Sequence, residues 1–335
     1  MIKIGIICPS EIALRRFMPA LNLIHDFEFM GVAIADKSEW IGATDKTILE
    51  EIDKAKVFTT QYGGKIFQSY KSIILSNEID AIYLPLPPAL HFFWTKMAIN
   101  AGKHVFIEKP ATTSLTNTLE IIELARSNKL AIHENYMFIF HEQLNTINDI
   151  INSGKIGDVR LYRISFGFPR RSSDDFRYNK KLGGGALLDA GGYTIKYAST
   201  LLGESTRLVY AQSNFINDFE VDINGSAALI NDKGTTVQIA FGMDNSYKCD
   251  LEVWGSKGTL FSGRILTAPA GFVPEANISI GNQIEKIQLP PDDAFKKSIL
   301  HFKHCIENEK LRTNNYDSIE KQAHLLNTFK EKANI

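Results

Sequence analysis

Cysteine is scarce in this chain. Cys8, Cys249 and Cys305 are the three in 335 residues, far apart and without metal-ligand spacing, which argues for isolated reduced thiols over a disulfide framework or a zinc site. Excess charge is also absent. A formal net charge of −1 leaves no basic surplus of the kind that nucleic-acid binders show, although a few local cations suffice for a small anionic ligand. Long hydrophobic runs are missing: none approaches the ~20 residues needed to span a bilayer. Met1-Ile2-Lys3-Ile4 runs straight into a strand pattern, so no signal peptide is expected and the cytoplasm is the expected location. There is no internal repeat and no low-complexity segment. His133, His141, His301 and His304 show no ligand spacing with cysteine or acid, so no metal site is expected.

What remains is an ordinary globular composition, 44% hydrophobic and 22% charged. The length exceeds one usual core, so two domains are expected. Through residue 130, short apolar runs alternate with helical patterns. Strand candidates are Ile2 to Ile7, Phe27 to Ala35, Ala81 to Leu84, His104 to Ile107 and Leu130 to His133. Helical patterns are Ala13 to Ile24 (with Pro19 irregular), Ser69 to Leu75, His91 to Ala101 and Leu115 to Ser127. This rhythm, with runs that barely alternate, predicts an α/β doubly wound parallel sheet over 1–130.

After Ser153-Gly154-Lys155-Ile156-Gly157 the period becomes 2. Val159 to Phe166, Leu208 to Asn214, Ser226 to Ile230, Thr235 to Phe241, Cys249 to Trp254 and Thr259 to Phe261 read as strands, with a hairpin turn at Asp232-Lys233-Gly234. One long helix, Leu187 to Leu202, interrupts them, and Asp293 to Glu307 and Ser318 to Glu331 close the chain. An α+β domain with a mainly antiparallel open sheet is therefore expected over 131–335, with the C-terminal helices free to pack back on the first domain.

A strand, turn and helix at the N-terminus is where a Rossmann fold binds pyrophosphate, through G-x-G-x-x-G/A and the helix N-terminus. Here Cys8 and Ser10 stand at the first two glycine places and Ala13 at the third, with Glu11 and Ile12 opening the helix. Pro9 removes one N–H. The residues alone leave two readings open, an ordinary strand-turn-helix and a phosphate loop built on small side chains. Asp36 ends the second strand, where an acid accepts from both ribose hydroxyls of NAD and repels a 2′-phosphate; Lys37 next to it could instead pair with that phosphate of NADP. The expectation is NAD or NADP, with NAD slightly favoured.

Four blocks carry a resemblance. Ala101-Gly102-Lys103-His104-Val105-Phe106-Ile107-Glu108-Lys109-Pro110 resembles the hallmark of the glucose–fructose oxidoreductase / inositol dehydrogenase (Gfo/Idh/MocA) family. Ile12 to Leu21 is similar to its first helix, Tyr83 to His91 to its nicotinamide-side loop, and Gly183 to Tyr193 to its substrate-site helix. Arg15-Arg16, Pro85-Leu86-Pro87, Glu134 to Phe138, Phe176-Arg177-Tyr178 and Phe241-Gly242-Met243 most resemble the NDP-sugar 3-ketoreductases within it. Those relatives also tend to have small non-glycine residues in the phosphate loop, and they commonly carry Ser-Arg where this chain has Asp36-Lys37.

The resemblance implies a nicotinamide-dependent sugar oxidoreductase in which Lys109 and Tyr193 act at the reacting carbon. A lysine after a strand's C-terminal end points into the ligand crevice; its charge can stabilise an oxyanion while a tyrosine donates the proton. Asp189, Arg177 and Tyr178 are expected at the substrate. Cys8, Ser10, Glu11, Ile12, Asp36, Lys37, Pro85, Leu86, Pro87, His91, Glu108 and Lys109 are expected around the cofactor. Asp189 and Tyr193, four apart, should share a helix face, and Gly191-Gly192 inside a helix suggests close approach of cofactor, substrate or the neighbouring domain. Arg170-Arg171 reads as a solvated loop more than a diphosphate clamp. Alternatives are a free-sugar or trans-dihydrodiol dehydrogenase of the same fold and a non-enzymatic nucleotide-sensing regulator. The partner expected is a small, nucleotide-linked sugar, with a homodimer or homotetramer formed through the open sheet face.

Overall fold

The computed structural model describes residues 1–40 and 43–335. They form two compact units, Met1–Asn135 with Ser298–Glu320, and Tyr136–Lys297 with Lys321–Ile335. The first unit thus runs five residues past the expected boundary at 130 and takes in a C-terminal segment.

In the first unit β1 (Ile2–Ile7) leads through a π-helical turn (Ala13–Phe17) into α1 (Met18–Leu21). Then follow β2 (Phe27–Ala33), α2 (Asp45–Tyr62), β3 (Lys65–Phe67), α3 (Tyr70–Ile74), β4 (Ala81–Leu84), α4 (Pro88–Asn100), β5 (His104–Ile107), α5 (Leu115–Ser127) and β6 (Ile132–Glu134). The strands pair in parallel in the order β3-β2-β1-β4-β5-β6, the doubly wound order in which ligands bind beyond the strand ends where the order reverses. That point lies between β1 and β4. It sets the turns that follow them, Cys8–Ile12 and Pro85–Pro87, at the crevice. The strands are buried on both faces, as at Ile4, Ile6 and Ile7 on β1 and Ile82, Tyr83 and Leu84 on β4, which is why their sequence does not alternate.

The helix expected over Ala13 to Ile24 is shorter and irregular. Pro19, with no N–H to give, stands in the first turn of α1 directly after the π turn. The 18-residue α2 buries only Glu51, Ala55 and Phe58. It begins at a capping box in which Thr44 and Thr47 satisfy one another's backbone N–H groups.

The second unit holds α6 (Glu142–Asn152), β7 (Val159–Gly167), a π turn (Leu187–Gly191) continuing into α7 (Gly192–Leu202), and β8 (Arg207–Asn214). Next come β9 (Asn224–Ile230), β10 (Thr236–Gly242), β11 (Lys248–Gly255), β12 (Thr259–Gly263), β13 (Glu275–Ile280) and β14 (Gln283–Gln288). The sheet order is β14-β13-β12-β11-β7-β10-β9-β8. All neighbours are antiparallel except β7 and β10, which run parallel. Inward residues Tyr162, Ile164, Phe166, Val237, Ile239, Phe241, Leu251 and Val253 form one core with Ile195 and Ala198 of α7. The opposite face carries Arg163, Gln238, Glu252, Trp254 and Phe261. Two helices end the chain, α8 (Ala294–Glu307) and α9 (Glu309–Ala333); the unit boundary falls inside each, after Lys297 and after Glu320. Among the described residues no helix is long and apolar enough to cross a membrane.

Candidate active site

The turn after β1 bends through Cys8, whose φ is +75°. That left-handed backbone is what a first glycine normally supplies, and here a cysteine holds it. The thiol lies against Glu51 and Tyr70, and burial, reinforced by the Glu51 charge, pushes its pKa well above the ordinary thiol value; it is a neutral thiol. Ser10 Oγ accepts the Ala13 N–H at 3.2 Å and the Cys8 N–H reaches Ala33 O at 3.1 Å. Ser10 therefore closes the turn on itself, retaining a hydroxyl proton to donate. The N–H groups of Glu11 and Ile12 sit in the first helical turn, where no intrahelical acceptor exists. The turn thus has the bend and the first-turn donors that a dinucleotide pyrophosphate requires.

Beyond β2, the Ala35 N–H donates to Glu51 Oε2 at 2.5 Å, and Tyr70 OH donates to Glu51 Oε1 at 2.8 Å. Asp36 Oδ1 accepts from Ser38 N at 2.9 Å and Ser38 Oγ at 2.6 Å, and those bonds hold the exposed carboxyl below the usual carboxylate range. Lys37 is turned to Asp45, 2.5 Å away. Glu39, one residue beyond Ser38, accepts the N–H groups of Asp36, Tyr70 and Lys71. The segment at the end of β2 is acidic, and its cation is already paired.

The loop Pro85-Leu86-Pro87 and the turn Glu108-Lys109-Pro110 lie on either side of one buried ring. His91 Nδ1 lies 2.7 Å from Pro110 O and Nε2 lies 2.7 Å from Leu86 O. Burial, with a smaller contribution from the Lys109 charge, lowers this histidine to about 4, so the neutral ring donates through one nitrogen. The ring therefore packs between the two loops and donates to one of the two carbonyls. Lys109 is half-buried, and the Lys109–Pro110 peptide is cis. Glu108 accepts from Tyr83 OH at 2.7 Å and from Asn135 Nδ2 at 2.8 Å.

In the second unit, the glycines at 183–185 have a local cause. Gly184 and Gly185 donate to Asn179 O and Arg177 O, and Gly185 has φ +118° against the Asp222 carboxylate. Asp222 then opens the following helix. Its Oδ2 accepts the Leu187 N–H at 2.7 Å and its backbone oxygen the Ala186 N–H at 2.8 Å; burial pushes its carboxyl up to about 6. The π turn over Leu187–Gly191 places an extra residue in the turn between Asp189 and Tyr193, so the two are not related by a plain α-helical step of four. Gln322 Nε2 donates to Gly192 O at 2.9 Å and Thr194 Oγ1 to Gly191 O at 2.8 Å, holding the join.

Gly191 and Gly192 answer to residues of their own unit. A Cβ at 191 would sit 3.0 Å from the Phe241 ring, and one at 192 would meet the Tyr136 hydroxyl. The Tyr193 ring is enclosed by Tyr136 (centroids 5.3 Å, 89°), Phe138 (5.7 Å) and Phe166 (5.4 Å). An aromatic box of this kind fixes a ring's plane and leaves its phenol as the polar tip.

Arg177 Nε donates to Asp189 Oδ2 at 2.8 Å, and its Nη1 meets both Asp175 oxygens at 3.0 and 3.1 Å. Its fork is engaged by protein carboxylates, so it holds Asp189 in place. Tyr178 stacks on Phe219 at 4.2 Å; its hydroxyl accepts from Arg171 N at 3.0 Å and donates to Met243 O at 3.2 Å. Arg170 pairs with Asp218 at 2.8 Å across the Phe219 ring. Glu51, Asp222 and Phe166 stand outside every family block, and Tyr83, Asn135, Tyr136 and Phe138 stand inside such blocks with no contact of their own foreseen. A charged residue inside a helical pattern, or an aromatic at a core position, carries no mark of its contact.

Residues 16–136 match the oxidoreductase family model described as an NAD-binding Rossmann fold, and residues 144–261 match the GFO/IDH/MocA C-terminal domain. The chain is 35% identical over 305 residues to a dTDP-3,4-didehydro-2,6-dideoxy-alpha-D-glucose 3-reductase of Actinomadura kijaniata (91% of this chain, 87% of that one). It is 36% identical over 307 residues to the enzyme of the same name from Streptomyces violaceoruber (91% and 85%). The crystal structure of KijD10, a 3-ketoreductase from Actinomadura kijaniata solved with NADP and TDP-benzene, superposes with a TM-score of 0.90 at 33% identity, covering 99% of this chain and 97% of that one. With a doubly wound nucleotide domain, an open-sheet second domain and this near full-length likeness, the chain belongs to the Gfo/Idh/MocA family of NAD(P)-dependent oxidoreductases.

Proposed function

We propose that this protein reduces the 3-keto group of a nucleotide-linked hexose, with Lys109 and Tyr193 as its reacting groups. The observation that carries the reading is the likeness to dTDP-sugar 3-reductases over nine-tenths of the chain. The local surroundings of each residue support its role. Tyr193, boxed by three aromatic rings, is oriented to act as general acid toward the alkoxide. Lys109 follows the C-terminal end of β5, and its ammonium stabilises the developing oxyanion. A bound nicotinamide would supply the hydride. Cys8, Ser10, Glu11 and Ile12 would receive its pyrophosphate, and Pro85, Leu86 and Pro87, with His91 behind them, its nicotinamide side. Arg177 keeps Asp189 fixed for the sugar, and Tyr178 shapes the loop beside it.

NAD is the proposed cofactor. The ionised Asp36, with Glu39 near and Lys37 drawn off to Asp45, offers ribose hydroxyls an acceptor and a 2′-phosphate repulsion, although the KijD10 structures hold NADP. The exposed Trp254 and Phe261, at 51% and 43%, favour a homo-oligomer through the outer sheet face.

The test is oxidation of NADH and NADPH with an NDP-3-keto-hexose, comparing wild type with Lys109→Ala and Tyr193→Phe. Loss of turnover of about 100-fold or more in both is expected. Unchanged rates in both, or activity confined to free sugars or diols, would overturn the reading.

A further inference from the structure

A buried chain of polar side chains leads away from Glu108 into the core of the first unit. Tyr83 OH and Asn135 Nδ2 both donate to Glu108 Oε1, at 2.7 and 2.8 Å. The Asn135 amide is thereby oriented, so its Oδ1 accepts, and it does so from Ser298 Oγ at 2.9 Å. That hydroxyl has its proton committed and must in turn accept from His133 Nε2, 2.8 Å away. His133, Asn135 and Ser298 are exposed by 1%, 1% and 0%. The donor directions follow from one another: once a carboxylate accepts from the amide, every proton in the row is assigned.

Ser298 lies 163 residues from Asn135 and comes from α8, in the C-terminal segment that joins the first unit. No backbone need accounts for a row of four side chains ending on a carboxylate beside Lys109. The buried serine, asparagine and histidine could together have been replaced by apolar residues of similar shape at little cost if packing were the only demand. We propose that Asn135 and Ser298 are positioning residues for Lys109, holding the Glu108 carboxylate ionised and fixed as the counter-charge beside the lysine. This rests on the reading of Lys109 as a reacting group.

The physical consequence is specific. Burial raises the Glu108 pKa, while Asn135, Tyr83 and the Lys109 charge pull it back. Charged and titratable groups around it are Tyr83 from β4, Lys109 on its own turn, His133 on β6 at the far end of the row, and His91 behind Pro110. Removing the amide donor leaves the carboxylate with one hydrogen bond fewer, which favours its protonated form. A protonated Glu108 no longer supports the ammonium of Lys109. The acid limb of the rate profile then moves up in pH.

The experiment compares wild type with Asn135→Leu, Ser298→Ala, Ser298→Thr and Tyr83→Phe. The readouts are kcat and KM across pH, with a thermal melt for each protein. Asn135→Leu should lower kcat about 100-fold with KM changed less than about threefold, and should raise the acid-limb pKa by about one unit, the worth of one hydrogen bond to a charged group. Ser298→Ala should lower kcat about tenfold, with Ser298→Thr restoring most of it, because the hydroxyl is what the row uses. Tyr83→Phe keeps the ring and removes the second donor, so it should move the same limb the same way even if Asn135→Leu fails to fold. Losses of kcat with an unmoved pH profile in all folded variants would reduce the row to packing and overturn the proposal, as would wild-type rates in Asn135→Leu and Tyr83→Phe. An infrared titration of the Glu108 carboxyl, assigned with Glu108→Gln, reads the same shift without turnover. A shifted band in a protein that reduces no keto-sugar would sustain the control of Glu108 and sink the reading of function; a fixed band in an active enzyme would do the reverse.

Discussion

Gly192 lies beneath the hydroxyl of Tyr136, and a methyl group there would occupy the place of that oxygen. The same Tyr136 ring packs edge-on against Tyr193. Gly192→Ala therefore gains roughly 1 kcal/mol of helix propensity but must displace Tyr136, at a cost of about 1–3 kcal/mol. The expected result is a protein destabilised by about 1 kcal/mol with kcat lowered roughly tenfold. Tyr136→Phe removes the obstructing oxygen, so the double variant should lose less stability than the two single ones added together. Chemical denaturation of all four proteins measures this; strict additivity would show that the contact exerts no strain.

His91 gives the pH dependence its sign. The unfolded imidazole takes a proton near 6.5 and the folded one only near 4. Between those values unfolding takes up a proton, so stability is complete above pH 6.5 and is lost as the pH falls toward 4. The amount at stake is roughly 3 kcal/mol. Proton NMR should find the His91 ring untitrated from pH 8 to 5. Unfolding free energies from pH 7 to 4.5 should fall more steeply in wild type than in His91→Gln, and parallel slopes would contradict the assignment.

Cofactor choice turns on Asp36. Asp36→Ser removes the carboxylate that repels a 2′-phosphate and should shift the NADPH-to-NADH affinity ratio toward NADPH by about tenfold, or 1.4 kcal/mol. Asp45→Asn should move it further the same way by releasing Lys37 from its partner. Calorimetric titration with each dinucleotide reads both. A wild-type preference for NADPH would mean that Lys37 leaves Asp45 when the cofactor binds.

Arg177 stands between two carboxylates with its side chain 22% exposed, and Asp189 is 15% exposed. Arg177→Met leaves both acids without their cation and should cost about 3 kcal/mol. Arg177→Lys retains the charge but not the fork, so it should recover stability better than it recovers KM for the sugar nucleotide. Equal recovery of both would argue that Asp189 has no part in substrate binding.

On the outer face of the second sheet, Arg163 reaches Gln238 and Glu252 at 3.2 and 3.4 Å beside the exposed Trp254. Trp254→Asp with Phe261→Asp should lower the mass seen by light scattering to that of one chain without unfolding it. A wild-type protein already monomeric at working concentration would end the oligomer proposal.

Both architectures were legible because burial writes itself into periodicity: unbroken apolar runs for the covered parallel strands, alternation for the half-covered ones. Of the elements that escaped, α6 and β13 carry that imprint, in the buried Leu144, Ile147 and Ile151 and in the buried Ala276 and Ile278, and were overlooked; α2 and β14 lack it. α2 buries three of its 18 residues and β14 is exposed along nearly all its length, so neither shows a hydrophobic period. Glu108, Lys109, Asp189 and Tyr193 enter the candidate site through their family blocks. Their supports do not, since Ser298, Asp222 and Gln322 reach them from distant segments, and a lone polar residue in a helix or loop does not announce its partner. Gly191 and Gly192 were read as places where a cofactor, substrate or the neighbouring domain comes close; the atoms against them are those of Phe241 and Tyr136 of their own unit.

The segment Ser298–Glu320 also bears on how the protein is made. Asn315 and Tyr316 donate to the backbone oxygens of Ile132 and Leu130, and Phe302 packs edge-on against Phe106. Those bonds cover the β6 margin of the first sheet, one of its two edges, and a bare edge is open to pairing with another chain. A ribosome delivers them only after the whole second unit has emerged. The nascent nucleotide domain must wait with one flank bare, and an N-terminal fragment ending near residue 135 should aggregate where the full chain does not.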